Sequence, residues 1–316
     1  MNDFIISAAF ILDLCLGDPQ SDWHPVRFIG FLIGSFEKRF NSEKYPRRVF
    51  GCLLVLFVSL SVLILMGVGL QICSLIHPYL FWAVSVLLVY YALSLRALAD
   101  EALKIQRNLE EGRILEARQN LSMIVGRDTE NLNEQEIIRA TVETVAESTM
   151  DGVISPLFYV FIFGPLGGWF YKTVNTLDSM VGHKNERFLE FGWASAKLDG
   201  WLNLVPSKIT ALMITLGVFC LGENCFSSLK WSFKYMLRGC ENNSDAAEAP
   251  MAAGLGVQLG GTNYYRGVRV EKPFLGEALR PLKIQDIRQS VRVSYAASLG
   301  MLVLGCIIIG VKDFFL

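Results

Sequence analysis

Glu143, Glu147 and Asp151 recur every fourth residue in a stretch of helical character, so their carboxylates share one face. Read plainly, this is a solvated helix flank; read as a site, it is a row of oxygen ligands suited to Mg²⁺, a hard cation. A second stripe follows at helical spacing. Lys172, Asn175, Asp178, Ser179 and Gly182 place an ammonium, an amide, a carboxylate and a hydroxyl beside a residue without a side chain. Asp199 and Asn203 form an i, i+4 pair leading into an apolar run, where ionisable groups are costly and are functional candidates by default. Asp13 and Asp18 flank the end of the first apolar segment in the same way, and His24 follows in Asp22-Trp23-His24-Pro25-Val26-Arg27, a polar and rigid knot.

Other motifs carry less chemistry. The string Gly254-Leu255-Gly256-Val257-Gln258-Leu259-Gly260-Gly261 lacks the Gly-Lys-Ser/Thr of a phosphate-binding loop and the spacing of a dinucleotide fingerprint, so it reads as a turn or a close approach of two backbones. His77 reads as a turn residue and His183 as a surface residue. The seven cysteines are odd in number, include no Cys-x-x-Cys pair and fall mostly in apolar runs, so they read as small buried hydrophobes and not as a disulfide frame or zinc site.

These groups must be positioned by membrane segments. The 316 residues are 52% hydrophobic and only 19% charged, against about 25% in ordinary globular chains, with a mean hydropathy of +0.39. Between Arg48 and Arg96 there is no charged side chain, which excludes a disordered, fibrous or nucleic-acid-binding chain. As one helix the run would reach roughly 70 Å, about twice the hydrocarbon core, so it makes two crossings that turn at His77-Pro78. Residues 293–311 give another strong span and residues 4–16 a shorter one that contains Asp13; no cleaved signal peptide is expected at the N-terminus. The apolar stretches 152–171 and 200–222 are interrupted by Gly and Pro. Four spans plus two re-entrant segments, or six full spans, both remain open.

The expected fold class is therefore all-α, a multi-pass helical membrane protein forming a single membrane-embedded domain over 1–316. Loop Lys and Arg place 96–150, a helical insertion, and 222–292, a loop region, on the cytoplasmic side. Within the insertion, Gly112 interrupts a helical hairpin, and Asn133 with Glu136 forms a capping-box start for the helix that carries Glu143.

Taken together, Leu12-Asp13-Leu14-Cys15-Leu16-Gly17-Asp18-Pro19, His24-Pro25-Val26-Arg27-Phe28-Ile29-Gly30, Gly126-Arg127-Asp128-Thr129 and Tyr171-Lys172-Thr173-Val174-Asn175-Thr176-Leu177-Asp178-Ser179-Met180-Val181-Gly182 closely resemble the CobD/CbiB family, adenosylcobinamide-phosphate synthase. The resemblance runs nearly end to end, through Asp199, Asn203, Pro206 and the glycine string. It implies ATP-dependent amide formation that attaches aminopropanol or its O-phosphate to adenosylcobyric acid. The implied setting is the bacterial inner membrane, with Mg²⁺ and with ATP as co-substrate. Its implied partners are the corrinoid substrate, the amine, the lipid bilayer and other late corrinoid-assembly membrane enzymes in a complex, with no nucleic acid.

On this resemblance His24, Asp18, Lys172 and Asp178 are expected to be catalytic. Arg27, Arg127, Asp128, Asn175, Ser179, Asp199 and Asn203 are expected to bind the nucleotide, and Glu143, Glu147 and Asp151 the metal. Ser148, Met150 and Gly200 depart from the family pattern, as does Glu241-Asn242-Asn243-Ser244-Asp245. These departures favour a repurposed relative, either a non-catalytic membrane regulator of the AmpE type or a paralogue with another amine, whereas Asn175, Asp178 and Ser179 favour the enzyme. A transporter would carry its polar groups at mid-membrane in repeated broken helices; here they cluster at span ends.

Overall fold

A computed structural model describes residues 2–19, 24–183, 185–237 and 243–315; Asp22, Trp23, Cys240, Glu241 and Asn242 lie outside the described residues. The chain divides into two compact units, Met1–Ser94 with Ser155–Leu204 and Gly305–Leu316, and Leu95–Ile154 with Val205–Leu304. The segments 96–150 and 222–292 thus fall in the same unit. Helices dominate both units, as expected.

By length and composition, Arg47–Ile76, Pro78–Glu110, Glu134–Val181 and Gln285–Val311 can each cross a membrane, and the bent pair Trp193–Leu202 and Leu204–Cys220 makes a fifth crossing if it is one span. One expectation is corrected. Helix α1 (Asn2–Leu16) has 15 residues, short of the usual ~17–25 of a spanning helix. The stretch 152–171 is broken as expected: α7 (Glu134–Thr149) passes through a π-helical turn at Met150–Ile154 into α8 (Ser155–Val181), whose two halves are separated by a non-helical residue, Gly164. Gly164 makes the turn before Pro165 with φ 70°, and the second half of α8 packs back on the first, with the Tyr159 and Tyr171 rings stacked at 5.4 Å.

In the first unit, α2 (Pro25–Phe40) starts at His24 with Pro25 in the first helical position, α3 runs Arg47–Ile76, and α4 (Pro78–Ala92) is capped by His77, whose ring accepts the Tyr79 N–H at 3.3 Å. Ile29 and Ile33 of α2, Leu54, Val58 and Val62 of α3, and Trp169, Leu177 and Val181 of α8 pack into one core with Phe188 and Phe191. The opposite face of α3 leaves Leu56, Leu60, Ile64 and Leu65 exposed, the side suited to lipid tails. Because lipid is as apolar as leucine, such helices are held by close packing and interhelical hydrogen bonds. The Trp169 indole N–H donates to Leu88 O at 2.8 Å, and Gly305 lets Phe161 within 2.1 Å of where a Cβ would stand. Cys15, Cys52 and Cys220, expected to be buried, are exposed on these apolar helices.

In the second unit, α5 (Leu95–Glu110) and α6 (Ile114–Ser122) form the expected hairpin around Gly112, and α7 opens on the expected capping box, with Asn133 and Glu136 bonded at 3.0 and 2.8 Å. Helix α9 (Trp193–Leu202) belongs to the first unit, whereas α10 (Leu204–Cys220) from Val205 on, α11 (Cys225–Met236), α12 (Asp245–Leu255) and α13 (Gln285–Phe315) up to Leu304 belong to the second. A hairpin that the sequence reading missed, β1 (Leu259–Tyr265) and β2 (Val268–Leu275), pairs antiparallel with a bulge between Leu259 and Gly261. Arg266 and Gly267 form its two-residue turn, both at positive φ, which suits the strand twist.

The glycine string does make a close approach. Gly260 has φ 84°, and a Cβ there would stand 2.1 Å from Pro273 O. Gly260→Ala therefore adds left-handed strain, of order 1–2 kcal/mol, to a backbone overlap. Thermal unfolding of the purified protein is expected to show a loss larger than that figure; an unchanged midpoint would mean that the bulge is not rigid.

Candidate functional site

Two polar clusters stand out, one in each unit. In the first unit, Lys172, Asn175, Asp178 and Ser179 occupy the final turns of α8, as the spacing predicts. Asn175 Nδ2 approaches Asp199 Oδ1 at 3.4 Å, and Asn203 Nδ2 donates to Asp199 Oδ2 at 3.1 Å, so two amides hold one carboxylate. Asn203 is 1% exposed and follows α9 directly; its Oδ1 accepts from Ser155 at 2.8 Å and from the Tyr171 hydroxyl at 2.9 Å, which ties α9 to both halves of α8. Such a network fixes the direction of Asp199 more firmly than a single contact would. Gly182 follows α8, and its N–H donates to Asp178 O at 2.7 Å; a Cβ on Gly182 would lie 1.9 Å from Asp178 Oδ1. The missing side chain makes room for that carboxylate.

His24 is engaged at both ring nitrogens. Nδ1 accepts the Val26 N–H at 3.2 Å and caps α2, while Nε2 lies 2.9 Å from Asp18 Oδ1. Acceptance at Nδ1 assigns the proton to Nε2, so the lone pair that a general base would use is occupied by the cap. Asp18 is exposed at the end of α1, Asp13 is fully buried, and Arg27 is exposed in the first turn of α2.

In the second unit, Arg127 reaches Glu143 Oε2 through Nη2 and Asn263 Oδ1 through Nη1, the latter at 2.7 Å. Glu143 Oε1 accepts the Gly260 N–H at 2.8 Å. Arg139 clamps β1 by donating to the carbonyls of Gly260 and Thr262 and to Asn263 Oδ1. Burial works against the Arg127 guanidinium, but the charge and hydrogen bond of Glu143 outweigh it and raise its pKa. Asp128 accepts the N–H groups of Arg266 and Gly267 at 2.8 and 2.7 Å and so anchors the hairpin turn.

Three of the expected site residues are engaged by the chain itself. Arg127 is committed to Glu143 and Asn263, Asp128 to a backbone turn, and Glu143, 1% exposed, has both oxygens occupied and is no open ligand. Glu147 and Asp151 continue the same face and are half-buried. Among the described residues no group of three or more His, Cys, Asp or Glu side chains could hold a metal.

The sequence reading missed Arg139, Asn263, Glu248 and Lys272. Glu248 had a signal, being a carboxylate inside the small, apolar run Ala246-Ala247-Glu248-Ala249-Pro250-Met251-Ala252-Ala253. It is fully buried in α12, with Lys272 Nζ of β2 at 3.9 Å. Burial pushes its carboxyl well above the usual range; Lys272 pulls it down, and Glu143, Glu147 and Asp245 push it further up.

Comparison with known proteins adds to this geometry. A family model described as CobD/Cbib protein matches residues 6–294. The cobalamin biosynthesis protein CobD of Clostridium perfringens (strain 13 / Type A) is 41% identical over 311 residues, 96% of this chain and 98% of the relative. That of Geobacter metallireducens is 44% identical over 310 residues, 96% of this chain and 95% of the relative. The cobalamin biosynthesis protein CbiB of Salmonella arizonae is 39% identical over 294 residues, 92% of each chain. No solved structure matches.

Proposed function

The chain belongs to the CobD/CbiB family of cobalamin biosynthesis proteins, and from that premise we propose that it is the inner-membrane enzyme that forms an amide between adenosylcobyric acid and aminopropanol or its O-phosphate at the expense of ATP. A free carboxylate is a poor acyl donor. In the proposed reaction its oxygen attacks the terminal phosphorus of ATP, and ADP leaves. The unprotonated amine then attacks the acyl carbon, the C–N bond forms, the C–O bond to phosphate breaks, and the nitrogen gives up one proton as inorganic phosphate departs.

The supporting observation is the join at Asp199. Asn175 and Asp199 stand 24 positions apart in two stretches that resemble the family's motifs, and they meet, with Asn203, at one carboxylate. In this reading Lys172 takes phosphate oxygens as a point charge, a role vacated by the committed Arg127, while Asn175 and Ser179 offer N–H and O–H donors to the charge that develops. An ATP-borne Mg²⁺ needs only one or two protein carboxylates, a need that Asp178 would meet, and it would neutralise the triphosphate charge.

Proteoliposomes given adenosylcobyric acid, Mg²⁺-ATP and either aminopropanol, its phosphate or ethanolamine phosphate are expected to yield the amide by mass spectrometry. Lys172→Ala and Asp178→Ala are each expected to slow conversion by roughly 10²-fold or more. Absence of product with every amine, or normal rates in both variants, would overturn the proposal.

A further inference from the structure

We propose that Glu248 seats a primary ammonium group, the class of cation to which the amine of the proposed reaction belongs; only the choice of that amine as ligand rests on the reading above. Glu248 lies in the first turns of α12, a helix whose every residue is buried. Neither of its carboxylate oxygens has a hydrogen-bond partner. The near cation, Lys272 Nζ, stands 3.9 Å away, outside hydrogen-bond range. Buried carboxylates are ordinarily paired and hydrogen-bonded, so this one is built for a partner that the folded chain does not supply.

The surrounding charges identify that partner. Glu143, Glu147 and Asp245 all act on Glu248. Of the cations in this layer, Arg127 and Arg139 are occupied by Glu143, Asn263 and the carbonyls of Gly260 and Thr262. Lys272 answers Glu248 and Glu147, and burial opposes its charge before those carboxylates raise its pKa, while Glu248 also acts on Arg127.

A proton would cancel the charge but leave the second oxygen of Glu248 without a donor. A divalent metal wants more ligands than any cluster among the described residues provides. A primary ammonium brings one charge and three N–H donors, enough for both oxygens at once. Lys272, with a side chain 28% exposed, is then the resident competitor that gives way.

The test uses the full-length protein purified in detergent, with binding followed by calorimetry and thermal unfolding. 1-Amino-2-propanol and its phosphate are compared with neutral propane-1,2-diol, K⁺ and Mg²⁺. The amines are expected to bind and to stabilise, and the diol is not. Glu248→Gln keeps the shape and is expected to weaken amine binding on the order of 10- to 100-fold.

Lys272→Met removes the competitor and is expected to tighten amine binding, whereas a merely structural ion pair predicts weaker or unchanged binding; this second variant decides the matter if Glu248→Gln does not fold. Equal binding of the diol, an unaltered amine affinity in Glu248→Gln, or a response to K⁺ or Mg²⁺ alone would overturn the proposal. Amine binding that depends on Glu248 without amide product in proteoliposomes would leave the ammonium seat standing and sink the reaction.

Discussion

Replacing Glu143 with alanine is expected to destabilise the unit Leu95–Ile154 with Val205–Leu304 by about 3–5 kcal/mol, the usual consequence of removing one member of a buried ion pair. Three groups lose their partner together. Arg127, whose side chain is 7% exposed, keeps a buried charge with only Asn263 to receive it. Arg139 loses a carboxylate 3.9 Å from its Nε, and the Gly260 N–H loses its acceptor beside a bulge that already needs positive φ.

Glu143→Gln retains an oxygen for Gly260 and should fall between wild type and alanine. Glu147→Ala, on the half-buried side of the same helix, is expected to cost less than either. Thermal unfolding in detergent at fixed Mg²⁺ ranks the three. A Glu143→Ala protein as stable as wild type that differs only in its Mg²⁺ requirement would restore Glu143 as a metal ligand.

The Glu143 case shows why the polar clusters were only half legible. Spacing along one helix correctly aligns Glu143, Glu147 and Asp151, because i, i+4 geometry is local. What faces each of them depends on the Gly126-Arg127-Asp128-Thr129 loop and on β1, which are distant in sequence. The long apolar helices were legible because the charge deficit marks them, and so was the Asn133 capping box, which is complete within four residues.

The hairpin escaped because β1 begins near two glycines and its turn is Arg266-Gly267, without the Asn-Gly or Asp-Gly that usually announces one. The π-helical turn at Met150–Ile154 has no periodic signal at all, whereas the break at Gly164 was legible in the Gly-Pro pair that makes it. Glu248 escaped because one carboxylate in a short apolar run has no periodic partner, and its burial follows from the packing of all of α12.

Adding a single methyl group at Gly182 is expected to lower turnover about as much as the removal of a catalytic carboxylate. The Cβ of Gly182→Ala would stand 1.9 Å from Asp178 Oδ1, a separation that no packing tolerates, so the carboxylate must swing away from its position at the end of α8. Gly182 has no positive φ, so alanine meets no left-handed strain there; the Cβ also lies 2.7 Å from the Asp178 main-chain oxygen, a smaller overlap that remains when the Asp178 side chain is removed. A displacement of about 1 Å at a reacting group is enough to cost roughly 10²-fold in rate.

A double-mutant cycle separates this from general damage. If Gly182 acts through Asp178, then Asp178→Ala frees the space, and the Gly182→Ala/Asp178→Ala protein should turn over no more slowly than Asp178→Ala alone. Turnover of adenosylcobyric acid in proteoliposomes gives the four rates, and unfolding midpoints of the same preparations show whether the fold is kept. Effects that multiply across the cycle would mean that Gly182 serves packing against its neighbours and that the position of the Asp178 carboxylate is not what sets the rate.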